Sequence, residues 1–502
     1  MNTPNKLKLI GVLFTFLTLS LAVSARAQTV LGENQVIHEE AQKSQGHKSP
    51  GSDATRRLLF WNEVALKANA LDHARVPPDQ VGPLRTARAF AIIHIAMFDA
   101  FNAIVGGFES YTGLDPASLD EDGGSDNLRS RASIDAAITQ AAGDTLIALF
   151  PSQADVIEAM QSSDLKTMPD GPAKDSGIRI GQRAAEAILA LRSNDGSQQP
   201  DPLYNVPGGY IPNPAIGKWR QDPISQNPVA LGVFWNRVKP FVIPSAGKFG
   251  VIPPPALTSK EYTKAFNELK RLGGDGVVTP TERTAEQTII GIFWAYDGTP
   301  FLGTNVRLYN QIAVKISEQM GTRGIELARL LALVNVAMAD AGLACFTTKY
   351  SEEFWRPITA IRQGDNDNNP DTIGDPNFVP LGSPASNTTG PNFTPPFPSY
   401  TAGHSTFGGA LFQILRRFYR TDKIAFSLVS DEFNGITRDN QGNVRPRILR
   451  QFKSLSDAEE ENGMSRIYLG VHWSFDNIEG IKQGNRVAEF VFGNSFRPRY
   501  SE

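Results

Sequence analysis

The sequence predicts an all-α protein, built as two four-helix-bundle-like halves with long Pro/Gly-rich loops. Three observations predict it. Apolar residues recur at three- and four-residue spacing through a series of long segments, which places them on one face of a helix. Strand-like alternation is nearly absent. Residues 200–255 are too dense in Pro and Gly for a helix and too long for a simple connection, so they divide the chain as a packed surface excursion.

In chain order, residues 1–27 read as a secretory signal peptide. Lys6 and Lys8 supply the positive start, 9–23 the apolar run, and Ala25-Arg26-Ala27 a small-x-small cleavage site, so the mature chain is expected outside the cytoplasm, secreted or periplasmic. Residues 28–54 are polar and aperiodic, with His38 and His47, and read as a flexible N-terminus. The N-terminal bundle is expected over 55–256. It opens with RLLFWNEVALKANAL and PLRTARAFAIIHIAMFDAFNAI, passes a mobile-looking stretch at 114–127, and continues with SIDAAITQAAGDTLIALF and SGIRIGQRAAEAILALR. The C-terminal bundle is expected over 257–502 and should carry the active site. Its helices are predicted at 259–272, 281–296, 307–320, 325–346, 405–419, 456–464 and 478–492. Asn335 and Asp340 interrupt the apolar face of one, as a bundle interior with a polar site would. The acidic run 457–461 reads as a solvated helix face.

Composition narrows the function classes. Apolar content of 41% with 20% charged residues is that of an ordinary globular protein. The net charge of −3 falls by three to −6 once Lys6, Lys8 and Arg26 leave with the leader. No global field then favours nucleic acid, and an anion site must be local. After the leader no apolar run reads as long and charge-free enough to span a bilayer. A single cysteine, Cys345, excludes an intramolecular disulfide and reads as a packing residue.

Three clusters in the last third carry chemistry. In KYSEEFWRP, Lys349 and Arg356 are seven apart, two turns of one helix, while Pro357 disfavours helical geometry at Arg356 and suggests a bend that presents the guanidinium. Taken alone, two such cations are most often a solvated surface. In PPFPSYTAGHSTFGG a proline-stiffened approach ends at Gly403-His404, where a helix begins. The N–H groups of a first turn lack intrahelical partners and the dipole is positive there, which is anion-binding geometry. The bland alternative is a loop capping an ordinary helix. In SRIYLGVHWSFD, Gly470 marks a turn that lets Arg466 and His472 converge. His472 and Asp476, four apart, allow the carboxylate to take one imidazole N–H and leave the other nitrogen basic. An isolated His beside Trp473 would otherwise be a core residue. If the clusters converge, three cations surround a phosphate-like anion, and two histidines remain to attack or ligate its centre and to move a proton. His94 reads as a satisfied core residue, and His73, His38 and His47 as outside any cluster.

Lys-x6-Arg-Pro, Pro-Ser-x2-Ala-Gly-His and Ser-Arg-x5-His-x3-Asp together resemble the signature of the vanadium-dependent haloperoxidase and type 2 phosphatidic acid phosphatase superfamily. EFWRP, GHSTFGGA, SRIYLGVHW and WAYDG at 294–298 favour the vanadium chloroperoxidase-like branch. The resemblance implies a vanadate cofactor with His472 as axial ligand to vanadium. Lys349, Arg356, Arg466 and the N–H of Gly403 would hold the equatorial oxygens, and Lys349 would also polarise bound peroxide. His404 would be the acid–base residue, Asp297 would support Arg466, and Phe397 matches the aromatic position of chloride-oxidising members. The implied reaction is oxidation of bromide or chloride by hydrogen peroxide to hypohalous acid. One departure matters: where the family carries serine before Gly-His, this chain has Ala402. The rival is an exported acid phosphatase on the same pocket, with His472 forming a phosphohistidine. Subunit count and any small organic acceptor stay open.

Overall fold

The computed structural model describes residues 53–114 and 132–499. The signal peptide, nearly all of the N-terminus expected to be flexible, His38, His47 and most of the stretch 114–127 lie outside the described residues. The described residues are mostly helical, with two small strand pairs.

The N-terminal half holds α1 (Asp53–Asp72), α2 (Gly82–Val105), α3 (Ile134–Leu149), α4 (Ala154–Lys166) and α5 (Pro172–Arg192). Pro83 starts α2, because its fixed φ suits a first turn and its missing N–H is not needed there. Ser133 caps α3 by accepting from Ala136 N at 3.2 Å. The C-terminal half holds α6 (Lys260–Leu272), α7 (Ala285–Phe293), α8 (Asn305–Gln319), α9 (Gly324–Glu352), the short α10 (Pro357–Arg362), α11 (Gly403–Tyr419), α12 (Leu455–Tyr468) and α13 (Ser474–Asn494). Ser259, Thr284 and Ser454 cap α6, α7 and α12.

α9 is the axle. It packs on α2 from one side and on α11 and α13 from the other, so one hydrophobic core runs from Trp61 and Phe90 through Leu331 and Phe407 to Val491. A second cluster, with Tyr262, Trp355, Tyr400 and Trp473, lies under α6 and α10. By length and hydropathy α2 and α9 do reach what a membrane span needs, contrary to the reading above. Most of each apolar window is instead buried inside the protein, as helices apolar all round must be.

Other expectations change for identifiable reasons. α9 does not carry both Lys349 and Arg356: it stops at Glu352, Glu353 is left-handed (φ 48°), and Arg356 is extended (φ −77°, ψ 152°) because Pro357 follows. Asn335 and Asp340 serve the framework. Asn335 pairs with Asn310, and Asp340 accepts three N–H groups from Phe241, Val242 and Ile243, which seats the 200–255 excursion on α9. Glu459 and Glu461 in the acidic run are tied to Arg416 and Arg450 rather than free in water. A ribbon of β3 (Phe426–Asn434) and β4 (Arg447–Phe452) pairs Phe426 with Phe452 and Val429 with Leu449. Its alternation escapes the sequence because Asp431 and Glu432 sit within β3, neutralised by the distant Arg307 and Arg445. A smaller pair, β1 (Asp297–Thr299) and β2 (Gly303–Thr304), places Asp297 opposite Thr304.

Candidate active site

Between the two halves lies a cavity of about 210 Å³, with Phe397, Gly403, His404, Arg466 and His472 on its wall. Three separate backbone devices deliver these groups. α11 begins at Gly403, so the N–H groups of its first turn have no carbonyl one turn back. A Cβ built on Gly403 would meet nothing within 4 Å, so the backbone there faces open space. α12 delivers Arg466 in its last turn and ends at Tyr468. Gly470 then turns at φ 73°, a conformation that favours glycine, and brings His472 to the entrance of α13.

His472 is held in one tautomer. Its Nδ1–H donates to Asp476 Oδ2 at 2.8 Å, so Nε2 carries the lone pair and accepts from Arg356 Nη1 at 2.9 Å. Asp476 also accepts from Trp473 N and Ser399 Oγ. Burial, then the Arg356, Lys349 and Arg466 charges, hold the His472 pKa well below its ordinary value, which keeps it neutral and nucleophilic. His404 donates Nε2–H to the carbonyl of Ala295, which leaves Nδ1 as its basic atom. Burial and then Arg466 push its pKa down to about 3.

Arg466 is 1% exposed and reaches both oxygens of Asp297 through Nη2, at 3.0 Å each, with Ser383 Oγ at 3.4 Å. Arg356 donates to the carbonyls of Phe397 and Val471 and lies over the Phe397 ring; burial lowers its pKa to about 9, so it stays charged at neutral pH. Lys349 is fully buried behind the wall. Its ammonium donates to the carbonyls of Pro398, Ser399 and Thr401, and burial pushes its pKa down. Three cations thus face two carboxylates, Asp297 and Asp476, an excess of one positive charge.

The structure therefore gathers Lys349, Arg356, Phe397, Gly403, His404, Arg466, His472, Asp297 and Asp476 at one place. Ala402 is the N-cap of α11, with no side-chain cap, and Ser399 does not replace the missing hydroxyl, because its own is committed to Asp476. Ser405 is turned to Asn477. His94 is a core residue bonded to Phe90 O and Asn62. His73 requires a correction: it lines the same cavity, brought there by the loop between α1 and α2. Ser383 and Ala295 were also missed, since each acts through a contact between segments far apart in sequence.

Fold and cavity together define a helical-bundle enzyme with a cationic pocket for a tetrahedral oxyanion. The family described as Vanadium chloroperoxidase N-terminal domain matches residues 49–232, and the VCPO second helical-bundle domain matches residues 329–498. The vanadium chloroperoxidase of Curvularia inaequalis is 32% identical, over 84% of this chain and 79% of its own. The crystal structure of the first bacterial vanadium-dependent iodoperoxidase superposes with TM-score 0.70 at 21% identity, covering 91% of this chain and 100% of that one. A holo-type bacterial vanadium-dependent chloroperoxidase superposes with TM-score 0.58 at 16% identity, over 86% and 95%. These two show the fold. The chain belongs to the vanadium chloroperoxidase family and is a vanadium-dependent haloperoxidase.

Dependence of these relatives on vanadium implies vanadate, and the residues present fit it. Arg356 Nη2, Arg466 Nε and Arg466 Nη1 are buried and meet no hydrogen-bond partner among the described residues. A buried charged donor left unpaired is costly, and an oxyanion with several acceptor oxygens satisfies all three.

Proposed function

We propose that the protein oxidises bromide and chloride with hydrogen peroxide to hypohalous acid, on vanadate held by His472 Nε2, Arg356, Arg466 and the N–H of Gly403. The observation that carries this reading is the set of three buried guanidinium nitrogens without a partner among the described residues, around an imidazole whose lone pair is fixed by Asp476. Vanadate, when bound, supplies a Lewis-acidic centre for peroxide without changing oxidation state. The chain's own residues do the rest. Arg356 and Arg466 balance the oxyanion charge, with Asp297 orienting Arg466, and Lys349 adds positive charge from behind the wall. His404 is neutral, and its Nδ1 takes a proton from hydrogen peroxide. Phe397 covers the pocket with an apolar face, which supports a range that includes chloride.

The test is the protein purified from Gln28 onward and assayed with and without vanadate. Vanadate-dependent halogenation of a β-diketone acceptor in the presence of peroxide is the expected result. Hydrolysis of an aryl phosphate, inhibited by vanadate and without halogenation, would sink the proposal in favour of the phosphatase on the same pocket. We assign residues 1–27 to an export signal, to be checked by N-terminal sequencing of the mature protein; a chain still starting at Met1 overturns it.

A further inference from the structure

Close to the Arg466–Asp297 pair stands a carboxylate that the chemistry above leaves unused. Glu432 is fully buried and lies on β3, where the ladder to β4 is irregular between Val429 and Asn434. An irregularity of this kind re-aims side chains, and here it sets β3 against the segment Phe293–Asp297. Ser430 Oγ donates to Phe293 O at 2.6 Å, and Asp431 N donates to Tyr296 Oη at 2.7 Å. Tyr296 is left-handed at φ 42°, a conformation that a tyrosine keeps only where its surroundings fix it. This segment carries both Ala295 O, the acceptor for His404, and Asp297, the partner of Arg466.

A second connection runs through the loop before α11. Glu432 Oε2 accepts from Ser386 Oγ at 2.6 Å and from Arg445 Nη1, and Ser386 Oγ also accepts from Arg445. In the same loop Ser383 lies 3.4 Å from Arg466 Nη2, and its backbone is pinned to that of Phe393 on the cavity wall. The other carboxylate oxygen of Glu432, Oε1, is buried and has no hydrogen-bond partner among the described residues. The charged groups around Glu432 are Arg445 on the arm before β4, Asp297 on β1, and the Asp431–Arg307 pair of β3 and α8. Burial raises its pKa to about 7; Arg445 and the Ser386 hydroxyl oppose the rise, and the Asp297 charge adds to it.

We infer that Glu432 is a positioning residue for the oxyanion, acting on Arg466 through Asp297 and the Ser383–Ser386 loop, and that it takes up a proton as the anion binds. The inference rests on the vanadate pocket proposed above. Ionised, Glu432 cancels the Arg445 charge. Protonated, it leaves that charge uncompensated and adds one positive charge beside the pocket. An anion held by Arg466 therefore prefers the protonated form, and by reciprocity its binding draws a proton from the solvent onto Glu432. Glu432 itself makes no bond to the anion.

The test is calorimetric titration of vanadate into the full chain, in paired buffers of different ionisation heat. Glu432→Gln, an isostere of the protonated form, should match the wild type at about pH 6 and bind vanadate about three- to tenfold more tightly at about pH 8.5. Vanadate's own protonation is common to both proteins and cancels in the ratio. Between these limits the wild type should take up more protons per vanadate bound than Glu432→Gln. A carboxylate that only braces the fold would change affinity by the same factor at every pH, and that result, or equal proton uptake, overturns the role. Ser386→Ala keeps the carboxylate but removes a hydroxyl that favours its charge, so the step in affinity should move to higher pH. An unmoved step there overturns the inference even if Glu432→Gln does not fold. Vanadate that binds without any step refutes the role of Glu432 alone, whereas no vanadate binding at any pH refutes the proposed cofactor with it.

Discussion

Ala402→Ser is the substitution that most directly examines the pocket. Ala402 is fully buried at the N-cap of α11, extended at φ −70° and ψ 123°, with its own N–H donated to Asp476 O at 3.0 Å. The backbone is thus fixed, and the substitution adds only a hydroxyl with two destinations. Turned inward along the helix, it accepts an N–H of the first turn, and the fold gains about 1 kcal/mol. Turned to the cavity, it donates to an oxyanion oxygen. A hydrogen bond to a charged group contributes roughly 1.5–3 kcal/mol, which tightens vanadate by about one to two decades. We expect the second, because the open space in front of Gly403 adjoins this position. Calorimetric titration of vanadate, paired with thermal unfolding of the vanadate-free protein, separates the two. An unchanged vanadate Kd with a raised Tm would show a capping hydroxyl and refute the placement of residue 402 beside the anion.

Other expectations concern the imidazoles and the helix packing. His472→Ala should abolish vanadate-dependent halogenation, and undiminished activity would remove His472 from the site. Asp476→Asn, which takes away the carboxylate orienting that imidazole, should weaken vanadate about 10- to 100-fold, measured by the same titration. His94 is buried and its pKa is held down at about 4, first of all by burial. Between its ordinary 6.5 and that value the unfolded chain takes up a proton the native chain refuses, so stability is lost as pH falls through this window, by up to about 3 kcal/mol. In urea unfolding, the stability gap between wild type and His94→Gln should therefore narrow from pH 7 to pH 4; parallel curves would disprove it. Gly484→Ala should destabilise the fold by about 3 kcal/mol, since its Cβ would lie 2.1 Å from Thr406 O on α11. An unshifted Tm would mean that α11 and α13 do not cross so closely.

The helical fold was legible because helix periodicity is local: the long helices of the core announce themselves by apolar spacing, and their ends by Pro83, Ser133, Ser259 or Gly470, while α4, polar over much of its length, was missed. The ribbon Phe426–Phe452 was not, since the carboxylates inside it are neutralised by arginines more than ten residues away and by no local pattern.

By itself the sequence determined which residue types were available for an oxyanion: Lys349, Arg356, Arg466, two histidines and a helix start, in three short clusters whose internal spacing is informative. Tertiary structure alone decided how each is used. It fixed the His472 tautomer through Asp476, set Lys349 on the carbonyls of Pro398, Ser399 and Thr401, and left three guanidinium nitrogens of Arg356 and Arg466 without partners among the described residues. It also brought His73 and Thr304, from opposite sides of the excursion at 200–255, to the same cavity wall. The physical reason is that hydrogen-bond partners and burial belong to pairs of groups, and here the pairs lie on segments that only the core around α9 brings together.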